Sequence, residues 1–371
     1  MKHIDQIKEQ TRLLSLDVFR GITVALMILV NSPGNEKPYV WLDHSEWNGS
    51  TLADFVFPFF IFIVGVSLAF TLTKARSKNI TFKQLFPKIV KRSVILFLIG
   101  LLLNAFPYHF DFETIRVFGV LQRIAICYFI AALLFLTTTI STQAMIMMGL
   151  MIGYWLLMVM FPGGYDLTPE GNFAAYLDRQ LFSSAHLYGK VFDPEGLLST
   201  LPSIATTLLG NLTGAWLLST HTHQIKLVGM TVTGFLALLA GWVWGFWFPI
   251  NKALWTSSYV LWTGGFALLF LASCYWLIEV KALKKWARPF EIFGINAMLA
   301  YVLHVFFLKI QAAIHIPRRD STQGNLRLYL TDHLFNWFSP QNAALLYACA
   351  YTILWLLVIW LFVAKTSKKA K

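Results

Sequence analysis

Long apolar segments recur along the whole chain, and a soluble fold has no place to hide so many of them. A helix needs about 20 mostly apolar residues to cross a hydrocarbon core of ~30 Å. Ten stretches approach that length: 13–30, 52–72, 89–106, 117–136, 144–161, 201–218, 227–248, 257–278, 292–311 and 343–364. The 371 residues would suffice for two or three soluble domains, but 57% of them are hydrophobic and only 13% are charged. Soluble domains carry about a quarter charged residues, so a water-facing surface could not be covered. The expected fold is all-α, a polytopic transmembrane bundle of about ten helices forming one domain over 1–371.

A net charge of +12 would suit a nucleic-acid binder. Here, however, Lys and Arg sit in short segments between the apolar runs, which is how membrane topology is written. Most of them fall on the side that holds the N-terminus, the 73–88 loop with its flank to Arg92, Lys226, the 281–288 loop and the C-terminal tail, while acidic residues gather opposite. Both termini are therefore expected in the cytoplasm, and an even number of crossings agrees with that. The N-terminus is polar and the first span contains Asp17 and Arg20, so no cleaved signal peptide is expected. Cys127, Cys274 and Cys349 all lie in apolar segments and offer neither a disulfide framework nor metal-ligand spacing. The longer external segments are punctuated by Gly and Pro, as in Phe161-Pro-Gly-Gly, and read as ordered turns.

An ionisable group inside a span costs several kcal/mol, so each is a functional candidate beside its blander reading. Asp17 and Arg20 share a helix face and would otherwise lock that helix to a neighbour. Arg123 either snorkels or lines a polar path. Asn296 and His304 stand on the ninth span. His304 comes thirteen residues after Glu291, about 20 Å along a helix, which puts it in the external half. The densest polar cluster lies between the first two spans: Asn31, then Trp41-Leu-Asp-His44-Ser-Glu-Trp47-Asn48-Gly49, then a capping box at Thr51–Asp54. Among these, His44 can exchange a proton near neutral pH, with Asp43 and Glu46 close in sequence. The chain has no Walker loop, no dinucleotide fingerprint, no zinc-protease helix and no nucleophile elbow. No metal is expected.

Several blocks occur in order: Arg12-Leu-Leu-Ser-Leu-Asp17-Val-Phe-Arg20-Gly21, Val30-Asn31, His44-Ser-Glu-Trp47-Asn48-Gly49 and Thr51-Leu-Ala-Asp54-Phe-Val-Phe-Pro58. They continue with Gly119-Val-Leu-Gln122-Arg123, Phe192-Asp-Pro194-Glu195-Gly196, Phe248-Pro-Ile-Asn251-Lys252-Ala-Leu-Trp255 and Asn296-Ala-Met-Leu-Ala-Tyr301-Val-Leu-His304. Together they resemble the heparan-α-glucosaminide N-acetyltransferase family of transmembrane acyltransferases, in the form of a minimal prokaryotic-type homologue. The resemblance implies acetyl transfer from cytoplasmic acetyl-CoA to the amine of a terminal glucosamine-type sugar on the far side. It makes His44, in the family's H-x-x-W-N-G motif, the catalytic residue, either as base or as acetyl carrier. It also implies a homodimer in a bacterial cytoplasmic membrane, with the His44 loop facing outside.

The residues fit such chemistry. An amine attacking a thioester must lose a proton, and an imidazole is suited to accept it or to attack in its place. Asn31, Asn48, Asn296 and His304 are candidate donors to a developing oxyanion. Trp41 and Trp47 could stack on a sugar, and Asp54 and Arg123 would line its path. Arg20, Asp17, Lys91, Arg92 and Arg288 are candidates for the coenzyme A end, although cytoplasmic loops carry such cations anyway. Two other readings stay open: an O-acetyltransferase of an envelope glycan, and a solute or glycan transporter using the polar spans as its path.

Overall fold

The computed structural model describes residues 12–107, 111, 113–161, 165–317 and 323–369, with side chains to 365. Residues 1–11 and the turn expected at 162–164 lie outside the described residues. Among the described residues thirteen α-helices follow one another: α1 (Leu14–Asn31), α2 (Leu52–Ser77), α3 (Phe82–Ala105), α4 (Val120–Thr137), α5 (Ile140–Met160), α6 (Phe173–Leu181) and α7 (Thr200–Leu218). Then come α8 (His223–Trp244), α9 (Ser257–Tyr275), α10 (Arg288–Ile295), α11 (Ala297–Ala313), α12 (Leu326–Leu334) and α13 (Pro340–Lys369). Among the described residues, strand is confined to a small antiparallel hairpin, β1 (His315–Pro317) and β2 (Gln323–Asn325), with Ile316 opposite Gly324.

Seven of the described helices are long and apolar enough to cross a membrane: α1, α2, α4, α5, α8, α9 with the π turn that extends it to Val280, and α13. The stretch read as a single span at 292–311 is broken. Helices α10 and α11 meet at Asn296 with a bend of 70°, and the pair would count as an eighth crossing. The stretches 89–106 and 201–218 are helical, within α3 and as α7, but neither is among those seven. The first half of α3 carries Lys83, Lys88, Lys91 and Arg92. Helix α7 is rich in Ser, Thr and Asn because it is an inner helix: Ser203, Thr206, Thr207, Asn211 and Thr213 are all buried. Four of them return their hydroxyls to carbonyls one turn back. That satisfies polar atoms which neither lipid nor core would tolerate bare. Helix α8 is the opposite case, with Val232, Phe235, Leu236, Leu239 and Trp242 exposed as a lipid-facing stripe would be.

Two glycine crossings set the frame around the interior. A Cβ on Gly65 of α2 would lie 2.0 Å from the Thr207 carbonyl of α7, and one on Gly210 would lie 2.1 Å from that of Phe62. Likewise a Cβ on Gly21 of α1 would fall 1.7 Å from the Phe290 carbonyl, and one on Gly294 would fall 1.9 Å from that of Asp17. Backbones this close admit no side chain, the usual way membrane helices gain contact without a hydrophobic driving force. The second crossing places the broken pair α10–α11 directly against α1, beside Arg20.

Candidate functional site

The loop between α1 and α2 is built to hold one imidazole. Thr51 and Asp54 form a capping box at the start of α2. The Asp54 side chain is wholly shielded from solvent, and its Oδ2 accepts from the backbone N–H groups of Ser45 at 3.1 Å and Thr51 at 2.9 Å. That leaves Oδ1 to accept from Nδ1–H of His44 at 2.8 Å. The carboxylate therefore fixes the ring orientation, and in the neutral ring it favours the tautomer whose Nε2 carries the lone pair. At the far end of the loop Gly49 adopts φ 97°, a left-handed conformation that suits glycine alone. Its N–H donates to the Ile250 carbonyl at 2.7 Å, and Asn251 Nδ2 donates to Asn48 Oδ1 at 3.2 Å.

These two bonds staple the His44 loop to the 249–256 turn, which sequence reasoning had not placed in the site. Asn251 Oδ1 accepts from Leu254 N–H, and Trp255 is held at φ 51° with its ring buried. Tyr259 closes the arrangement by donating its hydroxyl to the Asp54 carbonyl. The turn delivers Lys252, whose Nζ lies 3.0 Å from His44 Nδ1, 3.2 Å from Nε2 and 3.4 Å from Asp54 Oδ1. Burial lowers the Lys252 ammonium from its ordinary value, against the pull of Asp54 and Glu195.

A cavity of about 470 Å³ leads away from this cluster. His44, Lys252, Glu195 and Asn31 line one end, Val56, Phe57, Phe60, Ile63 and Val64 its apolar middle, and Ser67, Thr71, Arg20 and Arg92 the other end. The α10–α11 bend contributes Gly294, Ile295, Ala297, Met298 and Tyr301 to its wall. Along α2 the lining runs from Ala53 to Thr71, a rise of about 27 Å at 1.5 Å per residue. Arg20 is anchored there by Asp17 Oδ1 at 2.9 Å, the Gly294 carbonyl at 3.2 Å and Ser67 Oγ at 2.7 Å. Arg92 lies over the Tyr128 ring, 4.8 Å from its centroid.

The remaining candidates stand apart from the cavity. Asp17 is occupied by Arg12 and Arg20, and Arg288 by Glu291; Lys91 is exposed without lining the cavity. Trp41 is 54% exposed beside Tyr39, whereas Trp47 donates to the Leu167 carbonyl at 2.8 Å and meets Phe192 edge-on. Asn296 turns back to the Ile292 carbonyl at the bend. His304 is fully buried and donates Nδ1–H to the Ala300 carbonyl at 3.1 Å. Arg123 is buried against Trp255, donating to the Gly196 carbonyl and Ser199 Oγ. Its neighbour in sequence, Arg116, grips Asp193 and Glu195 and so holds Glu195 at the cavity's edge. Close by, Asp178 of α6 accepts from Leu197 N–H at 3.0 Å, and burial pushes its carboxyl up to about 6. Among the described residues no three His, Cys, Asp or Glu side chains gather as a metal site would require.

These features define a class: a multi-pass helical membrane protein with an imidazole, a carboxylate and an amine gathered at one end of a cavity between its helices. Residues 12–243 match the family model described as heparan-alpha-glucosaminide N-acetyltransferase, catalytic. The human heparan-alpha-glucosaminide N-acetyltransferase is 32% identical over 360 residues, covering 80% of this chain and 53% of that protein. The mouse protein of the same name is 31% identical over 353 residues, covering 79% and 53%. The chain belongs to the heparan-alpha-glucosaminide N-acetyltransferase family, and it spans about half the length of the curated relatives it matches.

Proposed function

We propose that the protein transfers an acetyl group from acetyl-CoA, bound from the cytoplasmic side, to the amine of a glucosamine-type sugar on the opposite face. The observation that carries this reading is the cavity itself, with two guanidinium groups at one end and His44, oriented by Asp54, at the other. Arg20 and Arg92 are suited to the phosphates of the donor, since guanidinium groups pair with phosphate through charge-assisted bonds. The apolar middle suits the pantetheine arm, which would bring the thioester to His44. There Nε2 takes the proton of the attacking amine, or attacks the carbonyl first and passes the acetyl group on. Ten crossings with both termini in the cytoplasm of a bacterial cell, and a homodimeric assembly, belong to the same proposal.

Purified protein in liposomes, given labelled acetyl-CoA and glucosamine, tests it beside His44→Ala. The wild type is expected to form N-acetylglucosamine, while the variant binds coenzyme A without turnover. A base-labile product would make the enzyme an O-acetyltransferase. A folded wild type that transfers acetyl to neither amine nor hydroxyl sugars would sink the reading in favour of a transporter.

A further inference from the structure

We propose that the ammonium group of Lys252 stabilises the oxyanion that forms at the acetyl carbonyl, an inference that rests on the acetyl-transfer reading above. The lone-pair axes of the two imidazole nitrogens diverge, so an amine 3.0 Å from one and 3.2 Å from the other is in line with neither. Lys252 stands against the ring and lines the cavity, with N–H directions left for a ligand. One Asp54 oxygen at 3.4 Å supplies its counter-charge. The turn that carries it is tied to the His44 loop at Gly49 and Asn48, so amine and imidazole keep their spacing as a unit.

That spacing serves either role of His44. If Nε2 attacks the thioester, the tetrahedral carbon is bonded to Nε2. If Nε2 takes a proton from the acceptor, the carbon lies one atom further out. In both cases the carbonyl oxygen comes within reach of Nζ. As the new C–N bond forms, an electron pair moves onto that oxygen. As it returns, the C–S bond breaks. With His44 as base, the proton that left the amine passes through Nε2 to the thiolate. With His44 as carrier, the thiolate leaves first and the amine then attacks the acetyl group on Nε2. The C–Nε2 bond breaks, and the freed Nε2 takes the amine proton and passes it to the thiolate. Lys252 keeps its own protons throughout. Of the other candidate donors, Asn296 gives an N–H to the Ile292 carbonyl, while His304 and Asn48 do not line the cavity; Asn31 lines the same end as Lys252 but carries no charge.

Lys252→Met and Lys252→Arg test the assignment, with folding checked by thermal unfolding with and without coenzyme A. Removing one oxyanion donor typically costs 10²–10³ in kcat, and Lys252→Met is expected to fall by about that factor with the KM for acetyl-CoA little changed. The groups facing Lys252 are His44 from its loop, Asp54 from α2 and Glu195. Burial lowers its proton affinity, so the wild type should lose activity on the alkaline side below the ordinary lysine range. Lys252→Arg, which does not titrate there, should recover part of kcat and carry that alkaline limb upward. A Lys252→Met variant within about tenfold of wild-type kcat overturns the inference. So does an alkaline limb unchanged in Lys252→Arg, which decides the matter if the methionine variant does not fold. A wild type that transfers no acetyl group overturns the reading beneath it instead.

Discussion

Nδ1 of His44 lies 2.8 Å from an oxygen of Asp54, a carboxylate with no exposure to solvent of its own. The same carboxylate caps α2, so the first turn of a membrane helix and the orientation of the imidazole are set by one side chain. Asp54→Asn keeps an acceptor for the cap but presents an uncharged amide to His44. We expect kcat to fall by about 10²–10⁴, the range of a lost acid–base contribution, while the protein still folds. Steady-state kinetics on the purified variant decide it, and near-wild-type turnover would remove Asp54 from the chemistry.

Arg20 tests the opposite end of the cavity. A hydrogen bond to a charged group contributes about 1.5–3 kcal/mol, so Arg20→Gln should raise the KM for acetyl-CoA by about 10- to 100-fold. Its partners Asp17 and Ser67 would be loosened too, so Ser67→Ala serves as the control. Equal effects of both variants on donor KM would assign Arg20 to packing.

The α1–α10 crossing is the most sterically exacting place in the fold. Gly21→Ala puts a methyl group 1.7 Å from the Phe290 carbonyl, which only a shift of the helices can relieve. Overpacking costs about 1–3 kcal/mol in a core that can adjust, and backbone against backbone adjusts poorly. The variant should unfold at markedly lower temperature than wild type in the same detergent. An unchanged midpoint would show that the two helices separate freely.

Asp178 supplies a pH signature of stability. Its carboxyl titrates near 6 when folded against 3.8 as an ordinary carboxyl, so the folded state binds the proton more tightly. Stability from this group is fully present below about pH 4 and is lost as pH rises through 6. Asp178→Asn keeps the acceptor for Leu197 N–H and sheds the charge. It should gain up to about 3 kcal/mol over wild type at pH 7, at 1.36 kcal/mol per pKa unit, and nothing at pH 4. Unfolding midpoints of the two proteins across that interval provide the comparison.

Trp47 separates architecture from recognition. Its indole N–H is committed to Leu167, and its ring packs beside Phe192. Trp47→Phe should lower stability by about 1 kcal/mol, one net hydrogen bond, and leave the KM for an amino-sugar acceptor unaltered. A raised acceptor KM at unchanged stability would mean that the ring touches the sugar.

What the sequence disclosed was whatever has a local cause. Apolar runs facing lipid, such as α5, α8 and α13, are visible because no other surroundings tolerate them. The His44 loop is visible because its polar residues are consecutive. The break at Asn296 is not legible because the 292–311 stretch is apolar across it; beside the bend, Gly294 packs against the Asp17 carbonyl of α1. Helix α7 reads in the sequence as a span like the others, and its buried Ser, Thr and Asn residues place it on the inside of the bundle. Lys252 stands 208 residues from His44, and tertiary contacts alone unite them, the staples at Gly49 and Asn48 among them. The block Phe248-Pro-Ile-Asn251-Lys252-Ala-Leu-Trp255 is legible as a string, and a lone lysine just after a Pro and an Asn is the signal it offers. Glu195 likewise depends on Arg116 from a distant loop.

The length of the cavity along α2 has an electrical side. A path of about 27 Å is comparable to the hydrocarbon thickness, so most of a transmembrane voltage would drop along it. Each elementary charge carried that distance would exchange about 2.3 kcal/mol with a potential of 100 mV. A donor that keeps its phosphates among Arg20 and Arg92 while its neutral acyl end reaches His44 carries none. On the proposed reading the group that changes sides is then electrically silent, and a membrane voltage neither drives nor hinders its passage.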